Sequence, residues 1–182
     1  MKQTRLFVIG VLGLGFGLGH AAPYAATGGN ATFEYKVAFV NVRGTVEGVT
    51  STVDLDPGDL AATSGTVTVP LSDLKTGNSL RDSHAKGSGA LNTAQFGDAT
   101  FKLEKLTGGQ LTEGRTLATT ASGQLTVKGV GRPISAPVKA TLSGGRVNVS
   151  TQFKFNPLDH GVRYPGGADT ITVHVDFVLA AR

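Results

Sequence analysis

The sequence contains no cysteine and no tryptophan. The first absence excludes a disulfide framework, a thiolate nucleophile, a cysteine-ligated metal and a lipid-modified cysteine. Charged residues are scarce, at 16% of the chain, and nearly balanced. Of the 17 lysines and arginines, Lys2 and Arg5 fall in a segment expected to be removed, which leaves 15 bases against 13 acids. That balance, without aromatic–basic interleaving, argues against a nucleic-acid partner. Beyond the leader, histidine is confined to His84, His160 and His174, with none of the close spacings a metal needs, so no metal site or cofactor is expected. There is no Gly-x-Ser-x-Gly elbow and no phosphate-cradling glycine loop. A triad drawn from Asp82, Ser83 and His84 would have to converge from three neighbours in sequence. The reading is therefore of a protein that is not an enzyme. No heptad, repeat or low-complexity tract is present either.

Residues 1–21 read as a secretory signal peptide. Lys2 and Arg5 give a positive start, and Leu6 to Leu18 is uncharged, apolar and interrupted by glycines. That run falls short of the ~20 residues a spanning helix needs. Gly19-His20-Ala21 offers small residues for cleavage after Ala21. The mature protein is expected to be periplasmic or secreted, and without disulfides it must rely on its core.

What the chain has in plenty is glycine, 26 residues of it, together with stretches of strict apolar–polar alternation. Residues 22–30 look like a loose lead, and residues 31–182 form one domain with no linker. Phe33, Tyr35, Val37 and Phe39 fall on one face of a first strand. Val42 to Leu55 is a more broken strand region, with Gly44 and Gly48 as expected bends. Val67, Val69 and Leu71 share a face, as do Phe101 and Leu103. Leu117 to Lys128 and Ile134 to Leu142 flank a corner at Gly129-Val130-Gly131-Arg132-Pro133. Val147, Val149, Phe153 and Phe155 alternate next, and Ile171, Val173, Val175, Phe177 and Leu179 close the chain. Between Ser72 and Asp98 the alternation stops, and a short helix is expected at residues 90–96 of this long loop.

About eight strands joined mostly by short turns predict an all-β domain. A sandwich and a barrel both satisfy the pattern. Long strands and small inward residues (Thr119, Ala121, Gly123, Ala136, Ala140, Thr151) favour a single antiparallel eight-stranded barrel. A barrel of that size can hold one slender ligand.

The run Gly123-x-Leu125-Thr126-Val127-x-Gly129-Val130-x-Arg132-Pro133-Ile134 resembles the central signature of the YceI-like family. Leu80-Arg81-Asp82-x-His84, Phe96 to Phe101, Asp159-His160-Gly161-Val162 and Ala168 to Val173 resemble its other segments in order. The likeness spans residues 31–181. The sequence departs from the family pattern at Asn156, where Arg is frequent, at His160, where Phe is frequent, and at Gly97-Asp98-Ala99, which replaces a Tyr-Pro pair. The resemblance implies a lipocalin-like barrel with an elongated apolar tunnel for a polyisoprenoid or similar long-chain amphiphile. It implies export and no catalytic activity. Because some members pair, a homodimer stays open.

On that reading the tunnel lining would be Phe33, Tyr35, Val37, Phe39, Phe101, Leu103, Leu125, Val127, Ile134, Phe153, Phe155, Val173 and Phe177. The bland alternative is that these residues are simply core. Arg81, Asp82 and His84 would either meet a polar head, such as a phosphate or a quinone ring, at the tunnel mouth, or form a local Arg–Asp brace with His84 making one hydrogen bond. Three functions compete: a lipid-binding carrier, an envelope structural or adhesion module with a filled core and a protein partner, and an enzyme acting on a lipid. An inner void would favour the first and a solid core the second.

Overall fold

The structure, a computed structural model, describes residues 21–182. The expected leader, residues 1–21, lies outside the described residues except for Ala21. The described residues fold into ten antiparallel strands of one sheet. They are β1 (Ala22–Ala26), β2 (Gly29–Val37), β3 (Val40–Glu47), β4 (Thr50–Leu55), β5 (Ser64–Pro70), β6 (Asp98–Leu106), β7 (Thr116–Val127), β8 (Val130–Ser143), β9 (Arg146–Phe155) and β10 (Gly167–Ala181). One helix, α1 (Ser79–Lys86), interrupts the connection from β5 to β6.

Ten strands make an eight-stranded barrel because two of its staves are broken. β2 pairs with β10 from Gly167 to Phe177, and β1 continues along the same edge at Ala180 and Ala181. β3 pairs with β2, and β4 with β1. The first stave breaks at Thr27-Gly28 and the second at Gly48-Val49, where Gly48 takes φ +78°. From there β4 to β10 pair in chain order, and β1 against β10 closes the ring.

Three local expectations are corrected. Residues 22–30, expected to be a loose lead, form β1 and the start of β2, with Ala25 and Ala26 buried. Small residues give no alternation signal, so this stave was invisible in the pattern. The corner placed at residues 129–133 is a two-residue turn at Lys128-Gly129, with φ +51° and +74°. That conformation suits a hairpin between twisted strands. β8 then runs straight through Pro133 and Pro137. It pairs with β9 only from Val138 onward, so both prolines sit where β8 has no partner on that side. The short helix expected in the long loop is present, at Ser79–Lys86 rather than residues 90–96, and Asn78 caps it by accepting from the Arg81 N–H at 3.0 Å.

Antiparallel order sends successive connections to alternate ends of the barrel. The β4–β5 and β6–β7 loops meet over one end. There Leu60 N–H donates to Gly109 O at 3.1 Å and Leu111 N–H to Pro57 O at 2.8 Å. Leu60 and Leu111 are thereby driven into a buried cluster with Leu55, Val147 and Leu179, which plugs that end. The other end is bordered by the β2–β3 turn, the long β5–β6 connection, the β7–β8 turn and the β9–β10 connection.

Candidate functional site

Inside the barrel lies a cavity of about 300 Å³. That is the lower end of the ~300–1,000 Å³ range of small-molecule sites. Strand alternation builds its wall, because every second residue of a closed sheet points to the axis. Twelve of the thirteen residues expected to line a tunnel do so: Phe33, Tyr35, Val37, Phe101, Leu103, Leu125, Val127, Ile134, Phe153, Phe155, Val173 and Phe177. The exception is Phe39, which is 98% exposed in the turn between β2 and β3. The alternation Phe33-Tyr35-Val37 could not reveal that the strand ends at Val37.

Small residues keep the middle open. Ala121 and Ala136 stand opposite one another across β7 and β8, and both line the cavity with Thr119, Ala140 and Thr151. The exposed surface of the cavity is almost wholly apolar. Pattern reading missed Leu60 and Leu111 at the plugged end, and Ala85, Ala90 and Leu91 from the long connection. Leu60, Leu111, Ala90 and Leu91 come from loops and turns, and Ala85 from the eight-residue helix α1, where no strand period identifies an inward face.

At the open end, the long connection is tied down through Thr76. Arg81 donates from Nε to Thr76 Oγ1 at 2.8 Å and from its terminal nitrogen to Thr76 O at 2.9 Å. Asp82 accepts from the Thr76 N–H at 2.8 Å and from the Thr76 hydroxyl. Those bonds hold the Asp82 carboxyl below its ordinary range, the hydroxyl contributing most. Partial burial opposes it, while the Thr76 amide and the charges of Lys86 and Arg81 act in the same direction. Arg81 and Asp82 therefore form a brace on Thr76 rather than on each other. Arg81 borders the cavity, whereas His84 faces solvent on the outside of α1.

Tyr35 donates its hydroxyl to Ala168 O at 3.0 Å, across an irregularity in the β2–β10 pairing. Burial, and then the negative charge of Asp169, push its phenol above the ordinary value. Two of the positions that depart from the family pattern, Asn156 and His160, make defined contacts. Asn156 Oδ1 accepts from the Leu158 N–H at 3.0 Å, starting a 3₁₀ turn at Pro157–His160. His160, 2% exposed, meets Phe155 edge-on with ring centroids 5.3 Å apart. Its Nδ1 lies 2.8 Å from Val130 O, which places the proton on that nitrogen. The imidazole thus keeps an aromatic contact and adds a hydrogen bond that a phenylalanine could not make.

A closed antiparallel barrel around an apolar void, plugged at one end, is the architecture of the lipocalin-like ligand-enclosing barrels. The chain matches the YceI-like domain over residues 24–179 and belongs to that family. No match is found among curated proteins. Solved structures of similar fold include BcnA of Burkholderia cenocepacia, with TM-score 0.72, 17% identity, and coverage of 82% of this chain and 95% of that one. A polyisoprenoid binding domain from Saccharophagus degradans, implicated in plant cell wall breakdown, gives 0.71 and 16%, covering 89% and 99%. The YceI protein of Campylobacter jejuni gives 0.59 and 19%, covering 75% and 84%.

Proposed function

We propose that this protein is an exported carrier that encloses a polyisoprenoid, a quinone-like molecule or another long-chain lipid in its barrel. One observation carries the reading: the barrel axis holds an apolar void where a structural module would hold packed side chains. Burying ~500 Å² of ligand hydrocarbon is worth roughly 12 kcal/mol gross at ~25 cal/mol per Å². Ordering a flexible chain cancels much of this, which leaves room for micromolar or tighter binding without one strong polar contact.

The plug at Leu60 and Leu111 directs the polar end of the ligand to the opposite end, where Arg81 and the tyrosines Tyr35 and Tyr164 border the cavity. The polyisoprenoid-binding relative from Saccharophagus degradans supports the ligand class. The apolar run at residues 6–18 supports export, and sequestration in transit or during envelope stress is the role such a carrier would serve. Titration with prenyl alcohols of increasing length tests the reading. Saturable binding at one per chain, tightening with length and then levelling, is the expected result. No binding at any length would overturn it.

A further inference from the structure

Among the described residues, five large hydrophobic side chains are exposed; three of them stand on connections at the end of the barrel opposite the Leu60–Leu111 plug, and a fourth, Val40, begins β3 beside one of these. Phe39 is 98% and Val40 58% exposed at the β2–β3 turn, Leu80 is 65% exposed on α1, and Leu158 is 42% exposed on the 3₁₀ turn after β9. The β2–β3 turn is the sharpest case. Two-residue hairpin turns favour glycine, asparagine or aspartate. Here the positions hold Ala38 and Phe39, and Ala38 takes φ +50°, a conformation uncommon for an alanine. Ala38 N–H donates to Gly166 O at 2.6 Å, seating the turn on the neighbouring connection. The hairpin is held in place, and no other described residue covers its phenylalanine.

Charge separates the two ends as well. The connections at the open end carry five bases, Lys75, Arg81, Lys86, Lys128 and Arg163, against Asp73, Asp82 and Asp159. Those at the plugged end carry Arg115 against Asp56, Asp59 and Glu113. The end with the exposed apolar tips is thus the positive end, and Arg81 and Tyr164 from its connections border the cavity.

We propose that this end docks onto the surface of an anionic lipid bilayer, with Phe39 and Val40 entering the headgroup–acyl boundary. Apolar tips surrounded by cations are the chemistry that recognises such a surface. Docking in this pose sets the cavity mouth against the membrane, so a water-insoluble ligand need not cross water. That purpose rests on the carrier reading, whereas the geometry of the tips does not.

The test uses the protein purified from its own cells, and sedimentation with vesicles of phosphatidylcholine alone or mixed with phosphatidylglycerol. The protein is expected to sediment with the anionic vesicles and to be released by salt. The double variant Phe39→Ser, Val40→Ser should weaken that partitioning by roughly tenfold or more, since each buried apolar side chain contributes at least that much. It should leave farnesol uptake unchanged, because neither residue lines the cavity. Vesicle binding unchanged in the variant would overturn the proposal, as would farnesol uptake without vesicle binding. Dimers in light scattering that vanish in the variant would assign the tip to a second copy and overturn it too. Vesicle binding lost on substitution, in a protein that takes up no farnesol, would support docking while overturning the carrier reading.

Discussion

The ring of Phe33 lies across Gly44, its partner in the β2–β3 register, filling the space a Cβ would occupy. Gly44 was expected to bend its strand. Its role is instead to make room for an aromatic ring on the cavity wall. Gly44→Val should drive that ring into the void. The expected cost is ~1–3 kcal/mol of stability, as for other overpacked sites, together with weaker ligand uptake. Denaturant unfolding and ligand titration on the same samples check both.

Ala121 and Ala136 are register partners on the adjacent strands β7 and β8, and both line the cavity. Ala136→Phe should block the tunnel while leaving the fold intact, because the added ring occupies existing space. Short prenyl alcohols should still bind, and long ones should lose affinity by about tenfold or more, the loss expected when several buried CH₂ groups are expelled. Equal loss for all lengths in a stable variant would count against a single continuous channel.

How far the site could be read from the sequence depended on where each wall residue lies. Residues inside long strands, such as Leu125, Val127 and Phe153, were legible because a two-residue period fixes their face. Phe39 was misplaced because Ala38-Phe39 carries no turn-forming residue, so the alternation ran past the true strand end. Leu60 and Leu111 were invisible, since their inward position is set by two backbone hydrogen bonds between loops distant in sequence. An Arg81–Asp82 brace was one of two readings of that loop; the residue both side chains actually hold, Thr76, lies five and six residues away with nothing in the pattern to mark it.

Thr76→Val removes that hub. Because Asp82 is depressed in the folded state, its contribution is fully present well above its ordinary value of 3.8 and is lost as the pH falls through that range. The α1 amides should therefore be less protected in acid than at neutral pH, relative to their intrinsic exchange rates. In Thr76→Val their protection should be weak at both, with the Asp82 titration moved up towards the ordinary value. An NMR titration that leaves Asp82 unmoved would refute the assignment.

His160→Phe should retain the contact with Phe155 and leave the Val130 carbonyl without its donor, costing about 1 kcal/mol. His160→Ala should cost on the order of 3 kcal/mol, because it also opens a cavity. Thermal unfolding of the two variants side by side separates packing from hydrogen bonding. Equal losses would mean that the edge-on ring contact contributes nothing.

What the barrel holds on purification tests the proposed carrier function most directly. The protein should be purified without detergent, extracted with organic solvent, and the extract read by mass spectrometry beside that of Ala136→Phe. The account predicts a long-chain isoprenoid or quinone at close to one per barrel in the native protein and its depletion in the blocked variant. An extract free of lipid, from a folded protein that also takes up no added polyprenyl compound, would contradict it.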